Sequence, residues 1–242
     1  MNLVIDAGNT RIKCALFENN SIVTIFVFLK NELQKNILEI LENYNSISTI
    51  MISSVGDLEK KDFNFIKRDL FFVTNEIQFP FINLYKTPKT LGIDRLVLAT
   101  GAVLHFPNQN RLVIDAGTCV TYDFVNTENE YLGGAISPGI RLRYESLHNY
   151  TAKLPLLTIE NPESLIGNTT FDSIHSGVVN GISNEIDGFI DEYKKQYSNF
   201  IIILTGGDAE FLAKRLKNII FANSNFLLES LNQIYLYNFK ND

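Results

Sequence analysis

The hexapeptide Leu3-Val4-Ile5-Asp6-Ala7-Gly8 occurs a second time, letter for letter, as Leu112-Val113-Ile114-Asp115-Ala116-Gly117. Each copy reads as a buried strand that ends in an aspartate and enters a glycine turn, and each is followed by a second apolar run. A chain that starts twice in this way has few folds open to it. The repeat predicts an α/β protein of two domains related by duplication, with mixed sheets and flanking helices. The 242 residues are enough for two units of about 120 residues each.

The rest of the pattern fills that plan. Strands are expected at Asn2–Asp6, Ile12–Glu18, Ile22–Leu29, Ser48–Ser54 and Leu70–Thr74. Helical spacing of apolar residues predicts helices over Leu33–Tyr44, Leu58–Asp69 and Gly92–Phe106, with a proline-containing loop over Asn75–Leu91. Asn108-Gln109-Asn110 reads as a junction, giving domains 1–108 and 109–242. Strands then follow at Arg111–Asp115, Cys119–Asn126, Glu130–Ala135 and Phe200–Leu204. Helices are expected from Ser137-Pro138-Gly139 to Tyr150, and over Thr170–Tyr197, Asp208–Leu216 and Leu227–Tyr237.

The formal net charge of −6 disfavours nucleic acid as a partner, because an acidic surface repels phosphate backbones. The most apolar run, Ile22–Leu29, is too short to span a bilayer, and Asp6, Arg11 and Lys13 interrupt any signal-like N-terminal stretch, so a cytoplasmic protein without a membrane partner is expected. Cys14 and Cys119 follow glycine turns in apolar runs and read as small buried hydrophobes rather than a disulfide pair. His105, His148 and His175 lack metal-ligand spacing and read as packing or surface residues.

The duplicated turn has a specific chemistry. Glycine lets the backbone approach a ligand closely, and exposed N–H groups with a threonine hydroxyl grip phosphate oxygens. The strand-end aspartate can hold Mg²⁺ directly or through water. Lys13 follows on the next strand, where its point charge can reach a β- or γ-phosphate. A third element, Ile201-Ile202-Ile203-Leu204-Thr205-Gly206-Gly207-Asp208, runs from an apolar strand into a glycine turn, and Gly206 and Gly207 would let a nucleoside lie against the backbone. Asp94 and Arg95 open a helix after the loop. Asp94 is a candidate base whose carboxylate neighbouring N–H groups and Arg95 would keep ionised, and Arg95 could pair with a substrate carboxylate or with a neighbouring acid.

In this order the three elements resemble the phosphate and adenosine motifs of the acetate kinase, sugar kinase, heat-shock chaperone and actin superfamily. Within it, Asp6-Ala7-Gly8-Asn9-Thr10-Arg11-Ile12-Lys13, Gly92-Ile93-Asp94-Arg95, Gly133-Gly134-Ala135-Ile136, Pro138-Gly139, Thr151-Ala152 and Leu154-Pro155 are similar to the motifs of type III pantothenate kinases. That resemblance implies two ribonuclease-H-like (actin-like ATPase) domains in a homodimer, and ATP-dependent phosphorylation of pantothenate, the first step of coenzyme A synthesis. It implies that Asp6, Ala7, Gly8, Asn9, Thr10, Arg11, Ile12, Lys13, Thr118, Gly206 and Gly207 bind ATP with Mg²⁺ near Asp6. It implies that Asp94 is the general base, that Tyr85, Gly92, Ile93, Asp94, Arg95 and Thr170 meet the substrate, and that Asp115 holds a monovalent cation, K⁺ or NH₄⁺. Gly167-Asn168-Thr169-Thr170 departs from the family's usual Gly-x-Asn-Thr, which favours Thr170 over Thr169. The residues leave two alternatives open: another small-molecule kinase or a phosphatase of the superfamily, and a non-catalytic ATP-binding regulator. A dimer is also suggested by Ser173, Gly177 and Gly181 at four-residue intervals on the long helix, where glycine costs about 1 kcal/mol each unless close packing compensates.

Overall fold

The computed structural model describes residues 1–8, 11–54 and 58–239. Its contacts define two compact units. The first comprises Met1–Pro107, Asn129–Tyr131 and Asn225–Asp242; the second comprises Asn108–Glu128 and Leu132–Ser224. The chain changes unit at Asn108, beside the asparagine-rich junction, where Asn108 takes a positive φ of 59°. The contiguous division at 108/109 differs from these units, because two later segments group with the first.

In the first unit, β1 (Asn2–Ala7) lies between β2 (Arg11–Glu18) and β4 (Thr49–Ser54), with β3 (Ser21–Leu29) and β5 (Leu70–Phe72) outside them, in the order β3-β2-β1-β4-β5. β1 is antiparallel to β2 and parallel to β4. Alternation along the strands gives the sheet two apolar faces. Leu3, Ile5, Ile12, Cys14, Ile50 and Ile52 pack with Leu33, Ile37, Ile40 and Leu41 of α1 (Leu33–Asn43), a set at helical spacing. Val4, Ala15, Phe17 and Met51 pack on the other face with Val97 of α2 (Ile93–His105) and with Leu228, Leu231 and Ile234 of a late helix, Phe226–Phe239. That late helix crosses α2 closely: a Cβ on Gly101 would lie 1.8 Å from Ser230 Oγ.

The helix expected over Leu58–Asp69 is reduced to a 3₁₀ turn at Lys60–Phe63. Asp62 turns its carboxylate back onto Glu59 N (2.8 Å), a local bond that competes with helix propagation, while Phe63 and Ile66 are drawn into the core. The loop Asn75–Leu91 contains a two-residue strand, β6 (Ile82–Asn83), which the sequence did not signal.

The second unit repeats the plan. β7 (Asn110–Ala116) lies between β8 (Cys119–Val125) and β10 (Phe200–Thr205), with β9 (Glu130–Pro138) beyond β8 and β11 (Phe221–Ala222) beyond β10. The order β9-β8-β7-β10-β11 matches that of the first sheet strand for strand, with β7 antiparallel to β8 and parallel to β10. Leu112, Ile114, Tyr122, Phe124 and Leu204 pack on α3 (Ile140–Asn149), on the long helix and on α6 (Ala209–Ala213).

The long helix is one run with a defect. α4 (Thr170–His175) continues through a π-helical turn, Ser176–Asn180, into α5 (Gly181–Gln196). Ser176 Oγ donates to Leu165 O (2.6 Å) and accepts from Asn180 Nδ2 (3.1 Å). The extra residue rotates the buried face. Ile174, Val178, Val179, Ile182 and Ile186 form its buried face, while Phe171 in the first turn is 55% exposed. The late helix Phe226–Phe239 is α7. Among the described residues no helix is long and apolar enough to cross a membrane.

Candidate active site

The end of β1 and the start of α2 bring the first functional group together. Asp6 alternates with Val4 and so lies on the sheet face that carries α2. In the strand register its neighbours are Lys13 on β2 and Ser53 on β4. Burial pushes the Asp6 carboxyl up to about 7, against the opposing pull of Lys13 and with a further push from the charge of Asp94. Asp94 sits in the first turn of α2, whose N-cap is Gly92. Its Oδ1 accepts from Arg95 N (2.9 Å), and a Cβ on Gly92 would lie 2.4 Å from that same oxygen, so the glycine makes room for the carboxylate.

Arg95 and its N–H pull the Asp94 pKa down, as expected, but burial outweighs them and the net shift is upward. These two groups thus act in the expected direction, favouring the ionised carboxylate, and burial is the larger effect. A raised value suits a base working near neutral pH. Arg95 is buried, with Cζ 5.7 Å from the centre of the Tyr85 ring. Tyr85, Gly92, Ile93, Asp94 and Arg95 thus all belong to the first unit, on one loop and the helix it enters. Asn9 and Thr10 lie outside the described residues. Around them, Gly8 N donates to Arg11 O (3.2 Å), Ile12 is buried in the strand and Lys13 is partly exposed.

The raised Asp6 pKa fixes a sign. A carboxyl that binds its proton more tightly when folded favours the fold at acid pH, and that contribution is lost as pH climbs from its unfolded value near 3.8 through about 7. Without nucleotide or metal, Asp6→Asn is therefore expected to raise the thermal midpoint at pH 8, by a free energy on the order of 4 kcal/mol. The gain should shrink towards pH 5. Equal midpoints for both proteins at pH 8 would show that Asp6 bears no such penalty.

The second unit holds the counterpart. Asp115 has Thr121 and Thr205 as register neighbours on β8 and β10. The rows Lys13–Asp6–Ser53 and Thr121–Asp115–Thr205 are thus equivalent, with a threonine where the first copy has its lysine. The hydroxyls of Ser53, Thr121 and Thr205 are buried and make no hydrogen bond among the described residues. The two turns differ in length: Ala7 pairs with Ile12, but Ala116 pairs with Val120. In the shorter turn Gly117 N donates to Cys119 O (2.9 Å). Cys119 is exposed, not buried as expected, because it ends this turn; Cys14 is buried as expected.

Two glycines press on the second turn. Gly206 has a φ of +97°, and a Cβ there would lie 2.3 Å from Ala116 O and 2.4 Å from Asp115 Oδ1. Asp208 N donates to Ala116 O (2.9 Å), closing Thr205–Asp208 onto the end of β7, while Gly207 presents open backbone. From the other side, Gly139 N donates to Thr118 O (3.0 Å), and a Cβ on Gly139 would lie 2.1 Å from Gly117 O. Gly206 and Gly139 therefore approach the turn from Asp115 to Thr118 by packing that only bare backbone permits.

Thr169 caps the long helix: its Oγ1 accepts from Asp172 N (3.1 Å). Thr170, one residue on, is exposed and lines a cavity of about 730 Å³ with Arg143, Asn168 and Ser173, all in the second unit. Arg143 is held there by Glu185 (2.5 Å), Ser137 Oγ (3.0 Å) and Pro138 O (2.9 Å). Sequence reading gave no role to Arg143, Gly139, Ser53, Thr121 or Thr205. Of these, Thr121 could have been found by counting register across the hairpin from Asp115. His105 and His175 prove to be packing residues: His105 lies against Phe226, and buried His175 bonds Tyr144 Oη (2.8 Å).

Two like-ordered sheets, each ending its central strand in Asp-Ala-Gly, with a strand–Gly–Gly turn closing on the second, have the plan of an actin-like ATPase fold. The comparisons narrow this. The sequence pattern of type III pantothenate kinases matches residues 2–192. The type III pantothenate kinase of Flavobacterium johnsoniae is 65% identical over the whole of both chains, and that of Bacteroides fragilis is 39% identical over 98% of each. The chain belongs to the type III pantothenate kinase family. Among solved structures, a Campylobacter jejuni protein described as a Baf family transcriptional activator superposes with a TM-score of 0.65 at 21% identity, over 98% of each chain. Component A of the Acidaminococcus fermentans (R)-2-hydroxyglutaryl-CoA dehydratase superposes with 0.55 at 15% identity, over 99% of this chain and 97% of that one. At these identities both likenesses speak for the fold alone.

Proposed function

We infer that the protein transfers the γ-phosphoryl group of ATP to the primary hydroxyl of pantothenate, the first step of coenzyme A synthesis. The observation that carries this reading is the half-buried Asp94 carboxylate at the start of α2, whose charge acts on Asp6, the aspartate of the first phosphate turn. A base for an alcohol and a seat for polyphosphate are what such a transfer needs. The alcohol oxygen forms its bond to the γ-phosphorus as the bond to the β-phosphate oxygen breaks. Asp94 takes the hydroxyl proton, and Lys13 faces the phosphate charge. Arg95 and Tyr85 receive the acceptor. Mg²⁺ arrives with ATP, next to Asp6. The test is ADP formation with and without pantothenate. Turnover that needs pantothenate is expected, and turnover with a sugar or acetate in its place would favour another kinase of the superfamily.

Asp115 supports a monovalent cation. The unused hydroxyls of Thr121 and Thr205 flank it, offering neutral oxygens where the first copy supplies a fixed ammonium from Lys13. Activity is expected to require K⁺ or NH₄⁺ in a buffer whose ionic strength is kept by Na⁺. Thr121→Lys should lessen that requirement by restoring a fixed charge. Equal rates in all three salts would overturn the assignment.

A homodimer is supported by the long helix. Gly177, Gly181 and Gly188 have nothing within 4 Å of a Cβ position, so no packing within the chain accounts for them. Leu165, Ile166 and Phe171 are exposed nearby in the sequence. Light scattering at micromolar concentration should give twice 27.5 kDa; a monomer would end this reading.

A further inference from the structure

The segment that carries Tyr85 is fastened from behind. Ile82 N donates to Asn129 O (2.8 Å) and Leu84 N to Tyr131 O (3.0 Å), so β6 is tied to the start of β9. Tyr85 N donates in turn to Asn83 Oδ1 (3.0 Å). The side chains continue the connection. Tyr131 is fully buried, and its ring lies 5.9 Å from that of Phe81 and 6.2 Å from that of Tyr85. Tyr85 then faces the Arg95 guanidinium at 5.7 Å. Rings at such separations attract one another, and a guanidinium within about 6 Å of a ring centre is also held. All four residues belong to the first unit.

We propose that Tyr131 is a positioning residue for the acceptor substrate: its buried ring fixes Tyr85, and through Tyr85 the orientation of Arg95. The proposal rests on the reading that Tyr85 and Arg95 meet pantothenate. A half-exposed tyrosine on an irregular loop would otherwise have to be ordered each time substrate binds, and that cost falls on binding. Tyr131 supplies this order in advance. It contributes no charge to the phosphate turns, so its effect falls on the acceptor alone.

Steady-state kinetics with pantothenate and ATP varied separately test this. Tyr131→Leu is expected to raise KM for pantothenate by about 3- to 10-fold, the range of one aromatic pair, with kcat and KM for ATP unchanged. Tyr131→Phe keeps the ring and should behave as the unsubstituted protein. Tyr85→Leu should raise the same KM, and the Tyr85→Leu, Tyr131→Leu double variant should be no worse than Tyr85→Leu. Should Tyr131→Leu fail to fold, Tyr131→Met fills the site without a ring and replaces it. If Tyr85→Leu leaves KM for pantothenate unchanged, the substrate-site reading itself fails. If Tyr85→Leu raises it and the Tyr131 variants do not, or if they lower kcat and both affinities alike, the positioning role alone is overturned.

Discussion

Asp94→Asn is expected to reduce turnover by roughly 10²- to 10⁴-fold, the usual cost of losing a general base, while ATP affinity stays largely intact. The amide preserves the size of the side chain and can still accept from Arg95 N through its oxygen, but it cannot take a proton from an alcohol at neutral pH. Its neutrality also removes the charge that pushes the Asp6 pKa up, so the nucleotide seat gains rather than loses if it changes at all. Lys13→Ala should behave differently and weaken ATP binding together with turnover, because it removes a charge that faces phosphate. Calorimetry with a non-hydrolysed ATP analogue and a coupled ADP assay separate the two. An Asp94→Asn protein that turns over normally would make Asp94 a helix-start acid and nothing more.

Gly206→Ala is expected to be the most damaging single-methyl change near the nucleotide. The position has φ +97°, which costs an alanine of order 1 kcal/mol or more, and the new Cβ would sit 2.3 Å from Ala116 O and 2.4 Å from Asp115 Oδ1. Relief requires the end of β7 or the Asp208 N–Ala116 O bond to move, and both shape the second phosphate turn. ATP affinity should fall by at least about tenfold, the equivalent of 1.4 kcal/mol. Gly207→Ala is the control: nothing lies within 4 Å of its Cβ position, so the fold should be unaffected and only contacts with the nucleoside should change. Equal ATP affinities for the Gly206→Ala and unsubstituted proteins would refute the close packing.

Both aspartates could be read from the sequence because each stands at the end of a short, local pattern: an apolar strand and then a glycine. The duplication of the sheets followed from the same hexapeptide. Thr205 and Ser53 could not be read in that way. They become neighbours of Asp115 and Asp6 only through parallel pairing between segments far apart in the chain, and an apolar strand carries no mark of its partner or register. Gly139 was visible as part of a motif, but its reason, a close approach to Gly117 O, is a tertiary fact. The two groups adjacent to Asp94 in sequence act on its pKa as expected, but the larger effect, burial, is a property of the whole fold and could not be read locally.

The return of α7 to the first unit sets the order in which the protein can be finished. Val4, Ala15, Met51 and Val97 are among the earlier residues to be synthesised, yet Leu228, Leu231 and Ile234, which cover them, are among the last. At ribosomal rates of about 5–20 residues per second, the interval between His105 and Phe226 lasts on the order of ten seconds. For that time the apolar face of the sheet that carries Asp6 is covered by α2 alone, while the second unit's own core residues emerge in sequence. The nascent chain therefore has to carry an open, sticky surface through about half of its own translation, and the unit that begins first is completed last.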